Sequence, residues 1–314
     1  MKLPNLAPVS VVASIACLLM IFTLGQSAQA QSTQKKNVEA IQVKAKDGWP
    51  LTLQYYKREG NREAPVVVLL HGKGQDARYW QQRGKTKGLA DLLWEEKMAV
   101  ICVDMRKHGE SKEGPNGQKF DETTLKNNDY KAMVLFDLPA VKQFIFEEHQ
   151  AGNLNMNKTV LVGTEMSCNV ALAFAEIDWK IAPHDDAPTP ALRTPRGQDV
   201  RALVLISPES RVSGIPGNPI AYLGKPLLGI NFLFAASKND SKDRGTTKRM
   251  FTSVKGRIKE DPRLIFHEEY PGKLRGMAML GRGTKLESYI VAFVSKSMEN
   301  VESKWVDRRS KLNR

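Results

Sequence analysis

The chain has 314 residues, of which 41% are hydrophobic and 26% are charged, and its formal net charge is +13. A chain of this length buries a substantial core, and its composition indicates a globular protein and excludes a repeat protein or a low-complexity chain. Outside the N-terminal segment only Cys102 and Cys168 remain, too few for a disulfide framework, and the five histidines show no metal-ligand spacing. We therefore expect two buried thiols, no metal and no cofactor.

The first thirty residues predict a secretory signal peptide. Lys2 provides a positive start, residues 11–24 form a mainly apolar run, and Ala28-Gln29-Ala30 is a small-x-small cleavage signal. The protein is therefore expected to be exported, either to the periplasm or out of the cell. An uncleaved N-terminal anchor is the alternative, although the apolar run is short for a membrane span.

The positive charge favours anionic partners. Residues 1–30 contain one Lys and no acid, so cleavage leaves a net charge of +12. For an exported protein this charge favours a small anionic ligand or peripheral contact with an anionic surface, and it disfavours nucleic acid. A solvated Lys and Arg surface without any partner explains the charge equally well. Residues 301–314 form a basic C-terminal tail that includes Trp305, predicted to be a frayed helix or a docking arm.

The hydrophobic pattern predicts a series of strands and helices along the chain. Alternating apolar and polar residues at 38–56, around Asp47 and Gly48, predict a β-hairpin. Short apolar runs predict further strands at 66–70, 99–103, 159–162, 202–206, 231–235 and 264–266. Helical spacing predicts helices at 89–97, at 130–149, from 168 onward and at 287–297.

This alternation of strands and helices predicts an α/β fold, with a doubly wound, mostly parallel sheet and an antiparallel N-terminal hairpin. Ligands of such sheets bind at the carboxyl ends of the strands. Residues 181–198 and the insert between the strands at 202–206 and 231–235 are short and rich in Pro or Gly. No large lid is therefore expected over those strand ends.

Several of the predicted strands run into recognisable motifs. In chain order these are VVVLLHGKG (66–74), ICVDMRKHGES (101–111), VLVGTEMS (160–167), FLFAASKND (232–240) and YPGKLRGMAML (270–280). Together they resemble the α/β-hydrolase family over residues 38–300. The third segment occupies the place of the family's nucleophile elbow, G-x-S-x-G, in which a sharp turn from strand to helix presents a serine.

The resemblance assigns site positions residue by residue. Gly163 and Ser167 are the small residues that flank the elbow, and Glu165 stands at its tip in place of serine. The oxyanion hole of the family implies the backbone N–H groups of Lys73 and Met166. The acid position of the triad falls on Asp240, with Asp243 as the second choice.

Arg275 stands where the family has its catalytic histidine. Arginine stays protonated in proteins, so it cannot accept a proton from a nucleophile or a water. A carboxylate and a guanidinium form a bidentate pair, and we therefore predict a salt bridge between Glu165 and Arg275, with Asp240 as a second partner. The alternatives are that Arg275 turns to solvent, or that Glu165 is only an acid favoured by the helix dipole or fills the oxyanion hole.

Three functions remain open. In the first, the chain is a pseudohydrolase with a binding or structural role. In the second, it is a hydrolase that uses Glu165 as a nucleophile, as dehalogenases and epoxide hydrolases of this family use Asp. The third is an esterase-like enzyme whose nucleophile is another residue, for which Ser167 is the candidate. Lys73, Arg106 and Arg275 are expected near the mouth of the site, which favours an anionic ligand. The substrate itself leaves no signal in the sequence.

Overall fold

A computed structural model describes residues 37–81, 86–256, 262–299 and 301–313, so the predicted signal peptide lies outside the described residues. The described residues form eight strands: Val38–Lys44 (β1), Pro50–Tyr56 (β2), Val66–Leu70 (β3), Ala99–Val103 (β4), Thr159–Thr164 (β5), Val200–Ile206 (β6), Asn231–Ser237 (β7) and Ile265–Tyr270 (β8). The α-helices are Leu89–Glu95 (α1), Asn127–Ala132 (α2), Leu138–Gln150 (α3), Met166–Lys180 (α4), Pro219–Leu223 (α5), Thr246–Lys255 (α6) and Leu286–Glu299 (α7).

All eight strands join one sheet in the order β1-β2-β4-β3-β5-β6-β7-β8. The N-terminal hairpin is antiparallel, and Gly48 takes φ +87° in its turn, a conformation that favours glycine. From β4 to β8 every neighbouring pair is parallel. The predicted fold class is therefore confirmed.

The sheet is covered on both faces. Val66, Val68 and Leu70 of β3 pack into one core with residues of α3 and α4, while Val67 and Leu69 pack into a second core with residues of α1 and α7. This alternation explains why β3 is a continuous apolar run: both of its faces are buried.

The register of the parallel strands places the functional turns side by side. Leu70, the last residue of β3, lies opposite Gly163 of β5, and Thr164 lies opposite Ile206, the last residue of β6. The turns that follow β3, β5 and β6 therefore meet at one edge of the sheet.

Two helices were missed by the sequence analysis, and one differs from its prediction. α5 is a single short turn after Pro219, and α6 has few apolar residues, chiefly Met250, Phe251 and Val254, so neither gives a strong periodic signal. The helix predicted at 130–149 is divided, because a π-type turn at Met133–Asp137 separates α2 from α3.

The C-terminal tail packs against the domain and is not a frayed helix. The Trp305 ring stacks on His149 at a centroid distance of 5.0 Å, and its indole N–H donates to the carbonyl of His149. Arg308 is 3% exposed and pairs with Asp199 at 2.6 Å. The tail thus belongs to the same compact unit as the sheet. Among the described residues, no helix has the length and apolarity needed to cross a membrane.

Candidate functional site

Glu165 occupies a strained turn between β5 and α4. Its backbone takes φ +52° and ψ −118°, a conformation that residues with a side chain rarely adopt. The turn also requires Gly163, because a Cβ atom there would lie 2.8 Å from the backbone nitrogen of Cys168. The side chain at position 165 is therefore presented at the carboxyl edge of the sheet by backbone geometry.

Ser167 stabilises this turn from inside the protein. Its hydroxyl accepts the N–H of Thr164 at 2.8 Å and donates to the carbonyl of Leu70 at 2.8 Å, which ties the elbow to the end of β3. The residue is fully buried. A hydroxyl engaged in this way does not face the site, so the geometry argues against Ser167 as a nucleophile.

The Glu165 carboxylate lies between two glycines. Its Cδ atom is 3.5 Å from the point where a Cβ on Gly72 would lie, and its Cγ atom is 2.8 Å from the corresponding point on Gly276. Among the described residues, it accepts no hydrogen bond and forms no ion pair. Burial raises the pKa of Glu165, and the more distant charge of Arg275 opposes that rise.

The two backbone donors of the implied oxyanion hole have no partner within the described chain. Lys73 lies within a tight turn in which the side-chain oxygen of Gln75 accepts the N–H of Gly72 at 3.2 Å. Met166 is the first residue of α4, so its N–H has no partner inside the helix. The expectation that the Glu165 carboxylate fills this hole is not met, since it accepts from neither N–H group.

His71 supports the oxyanion turn from below. Its Nε2 atom accepts the N–H of Met105 at 3.1 Å, so the proton lies on Nδ1, which donates to the carbonyl of Gly72 at 2.8 Å. Complete burial lowers the pKa of His71 to about 3. The ring is therefore neutral and holds backbone, and it does not act as a base on Glu165.

Arg275 pairs with Asp240 and not with Glu165. One guanidinium nitrogen lies 2.7 Å from Asp240 Oδ2, and the two side chains are 14% and 4% exposed. The predicted Glu165–Arg275 salt bridge is therefore wrong. Glu165 extends against the Cα atom of Gly276, one residue beyond Arg275, while the shorter Asp240 reaches the guanidinium from the loop after β7.

Asp243, the second choice for the acid of the triad, stabilises the start of a helix. It accepts the N–H of Thr247 at 3.0 Å and also the hydroxyl of that residue, in the first turn of α6. This capping leaves Asp240 as the carboxylate that faces position 275.

None of the five histidines hydrogen-bonds to Glu165. His108 contacts the carbonyl of Arg106, His149 contacts the carbonyl of Val306, and His267 stacks on Phe251 at 5.3 Å. His184 lies in the irregular segment after the C-terminal end of α4, whereas Glu165 directly precedes the N-terminal end of that helix. The nucleophile position is thus without a proton acceptor of the kind that a hydrolase of this type uses.

Arg106 is not at the mouth of the site, contrary to expectation. It is 3% exposed and pairs with Asp137 and, at 2.9 Å, with Asp47. The charges that act on Glu165 are mixed in sign: Arg275 and Lys242 are positive, while Glu209 and Asp240 are negative. The site therefore lacks the strongly basic mouth that would select an anion.

Two residues that position the site were missed by the sequence analysis. Ser207, directly after β6, takes φ +50°, and its hydroxyl accepts the N–H of Gly276 at 3.1 Å, which holds the loop that carries Arg275. Gln75 bonds the oxyanion turn and also lines a neighbouring cavity of about 300 Å³, together with Tyr79 and Met277. Ser207 could have been found from the sequence, because it is a polar residue at the carboxyl end of a predicted parallel strand.

No family model matches this chain, and comparison with curated protein sequences found no match. Solved structures do match. An esterase of Pyrococcus furiosus superposes with a TM-score of 0.56 at 13% identity, over 84% of this chain and 92% of the esterase. An esterase of Pyrobaculum calidifontis gives 0.51 at 16% identity over 83% of each chain. A dienelactone hydrolase of Anabaena variabilis gives 0.51 at 12% identity, over 84% of this chain and 97% of the hydrolase.

The chain has the α/β-hydrolase fold. At 12–16% identity these similarities establish the fold alone, and the function depends on the residues at the site. In this α/β-hydrolase fold the elbow conformation and both backbone donors are present. Within the described residues, no group of His, Cys, Asp and Glu is placed to hold a metal ion.

Proposed function

We propose that this chain is an exported α/β-hydrolase-fold protein with a degenerate triad, a pseudohydrolase whose role is to bind a ligand or to serve as a structural component. One observation carries this proposal. A carboxylate stands at the strained tip, and the residue at the histidine position is a guanidinium tied to Asp240 at 2.7 Å.

The chemistry of the pair supports a loss of hydrolysis. A serine nucleophile needs a base to take its proton, and general-base assistance is worth about 10²–10⁴-fold in rate. Arg275 cannot provide that assistance, and its ion pair occupies the one carboxylate, Asp240, that faces it. No imidazole replaces it near Glu165. What remains is a half-buried acid beside two N–H donors that have no partner in the described part of the chain, and this arrangement is suited to binding a ligand.

A second function has a specific observation in its favour. Glu165 has no partner among the described residues and lies at the tip where a carboxylate nucleophile attacks in related enzymes. An attack on an alkyl halide or an epoxide would form an ester on Glu165. Release of that ester needs an activated water, and no base is placed to activate one. This function therefore predicts a trapped ester and slow or absent turnover.

The deciding experiment assays the mature protein with p-nitrophenyl acetate and butyrate. We expect wild-type protein to hydrolyse neither ester faster than the heat-denatured control. The double variant Glu165→Ser with Arg275→His is expected to gain esterase activity, because it restores a serine, an imidazole and Asp240 on the existing elbow. Each single variant serves as its control and is expected to stay inactive.

Two results contradict the proposal. Wild-type hydrolysis that is lost in Glu165→Gln identifies Glu165 as a nucleophile, and wild-type hydrolysis that persists in Glu165→Gln places the nucleophile elsewhere. Intact-mass analysis after exposure to an epoxide and to an alkyl bromide tests the second function directly. A mass increase that is absent in Glu165→Gln supports it.

Export has a separate test. Expression of the full chain with N-terminal sequencing of the product is expected to give a mature protein that begins at Gln31. A product that retains residues 1–30 and sediments with membranes supports the anchored alternative instead.

A further inference from the structure

A second cavity lies at the other end of α4, on the α3 and α4 face of the sheet. It has a volume of about 520 Å³ and lies between α3, α4, the segment at 181–196 and the C-terminal tail. Ile177, one of its lining residues, follows Met166 by eleven positions, about 16 Å along the helix. The cavity is therefore separate from the turn at Glu165, and an inference about it does not depend on the proposed function.

The walls of this groove are mainly apolar. They include Phe146 from α3, Phe174 and Ile177 from α4, and Ile181 just after α4. A smaller cavity of about 20 Å³ shares Lys142, Met156 and Phe174 with the groove and extends to Val68 and Leu161 of the sheet. The groove has the size and apolar lining typical of small-molecule sites, which range from about 300 to 1,000 Å³.

The charge at the rim of the groove has one sign. Its fifteen described lining residues include the cations Lys142, Arg196, Arg308 and Arg309 and no carboxylate. Three of these cations already have acidic partners, which lie outside the lining of the groove. Arg196 is exposed and forms no ion pair among the described residues, while Lys142 donates to its backbone carbonyl at 2.9 Å. The guanidinium of Arg196 is therefore available to an anion.

The segments that border the groove also carry exposed apolar residues. Leu192 and Leu312 are 62% and 75% exposed. Lys311, the residue before Leu312, donates its Nζ proton to the carbonyl of Leu192, and Asn313, the residue after it, lines the groove. Two exposed apolar residues therefore belong to the segments that border the groove.

We propose that this groove binds a single-chain anionic amphiphile of the fatty-acid class, with its aliphatic chain along Phe174, Ile177 and Ile181 and its carboxylate at Arg196. The apolar walls select the chain because its burial removes apolar surface from water. The cationic rim selects the carboxylate over a cationic or neutral head group, and Arg suits that role because its planar donors match a carboxylate.

The experiment is calorimetric titration of the mature protein with dodecanoate below its micelle concentration. Butyrate and dodecyltrimethylammonium are titrated under the same conditions. We expect dodecanoate to bind at one saturable site and each comparator to bind at least tenfold more weakly. Absence of dodecanoate binding, or equal binding of the cationic amphiphile, overturns the proposal.

Variants locate the site. Arg196→Glu removes the cation, and Ile177→Asp, at a position that is 36% exposed, introduces a carboxylate into the groove. Each is expected to weaken dodecanoate binding at least tenfold, with an unliganded thermal midpoint close to that of wild type. Lys248→Glu, on the exposed side of α6, makes the same charge change as Arg196→Glu and is expected to leave binding within twofold of wild type.

Glu165→Gln is the second control, because fatty acids could instead enter the site at the elbow. It is expected to leave dodecanoate binding unchanged. If Arg196→Glu behaves like Lys248→Glu, or if binding changes with Glu165→Gln and not with Ile177→Asp, the groove is not the site and the proposal is wrong.

Discussion

The two ends of the parallel sheet differ in whether their charged groups are paired. At the amino end, the buried Arg308 and the partly exposed Lys142 both pair with the buried Asp199, and Lys142 also pairs with Asp178. At the carboxyl end, the half-buried Glu165 and two backbone N–H donors have no partner among the described residues, and the backbone is strained. Buried charges are costly unless they are paired, so the amino end has the arrangement of a structural region. The carboxyl end combines a strained backbone with unpaired N–H donors, which is typical of a functional region.

The largest expected effect comes from breaking the amino end. Arg308→Met leaves Asp199 with Lys142 alone and should lower the free energy of unfolding by about 3 kcal/mol, at the lower end of the cost of breaking a buried pair because Lys142 remains. The measurement is urea denaturation. Arg309→Met, which removes an exposed guanidinium from its pair with Asp307, is the matched control and should cost much less than Arg308→Met. Equal losses would show that the tail does not stabilise the domain through Arg308.

The carboxyl end is tested at Gly276. Its φ is +52°, and an added Cβ would overlap the Glu165 side chain. We expect Gly276→Ala to cost about 2 kcal/mol of unfolding free energy, from backbone strain together with that overlap. Gly281→Ala has a similar φ of +69° with no atom within 4 Å, so it measures the strain alone.

The same Gly276→Ala change in a Glu165→Ala background should cost less than in wild type, because the overlapping side chain is gone. A cost that is the same in both backgrounds, or no greater than that of Gly281→Ala, would mean that Glu165 does not occupy the space beside Gly276.

Acid should loosen the amino end through His149. Its Nδ1 atom accepts the N–H of Met156, and its Nε2 proton is donated to the carbonyl of Val306 at 2.8 Å. Burial lowers the pKa of His149 in the folded protein, so the unfolded chain binds more protons and stability falls as the pH drops below about 6.5. We expect a loss of about 1 kcal/mol by pH 5.5 that is absent in His149→Gln, measured by urea denaturation at pH 7 and pH 5.5. An identical pH dependence in the variant would assign the effect to other groups.

The smallest effect on stability is expected at Glu165. Its pH dependence has the opposite sign to that of His149. Because burial raises the pKa of Glu165, ionisation opposes folding as the pH rises above about 4.5. Glu165→Gln should therefore raise the thermal midpoint at pH 7 by about 1 to 3 °C and have no effect at pH 4. A lower midpoint at pH 7 would show that the carboxylate has a stabilising partner.

The fold could be predicted because its information is local. Buried parallel strands such as 66–70 and 99–103 are short apolar runs bounded by turn residues, and both were predicted with the limits that the structure has. α6 was missed because its sequence has few apolar residues, and its packing partners β7, β8 and α5 are brought to it by the tertiary fold.

The sequence was enough to predict which strand each site residue follows, but not which hydrogen bonds the residue forms. The motifs placed Glu165, Asp240 and Arg275 after three strands of one sheet, and in the structure these residues follow β5, β7 and β8. Whether Asp240 or Glu165 pairs with Arg275 depends on the loop conformation at that point. In the structure Glu165 lies against Gly276, the residue after Arg275, and Asp240 forms the pair. Arg106 was misplaced for the same reason, since its burial is decided by Asp137, 31 residues further along the chain.

The Ser167 hydroxyl has a practical consequence for protein design. The bend at residue 165 is fixed by bonds from Ser167 to Thr164 and Leu70, and none of those bonds involves the tip side chain. Replacing that side chain should leave the bend in place. The chain is therefore a host on which cysteine, histidine or a non-natural amino acid can be displayed beside two unoccupied amide donors, without redesign of the loop that carries them.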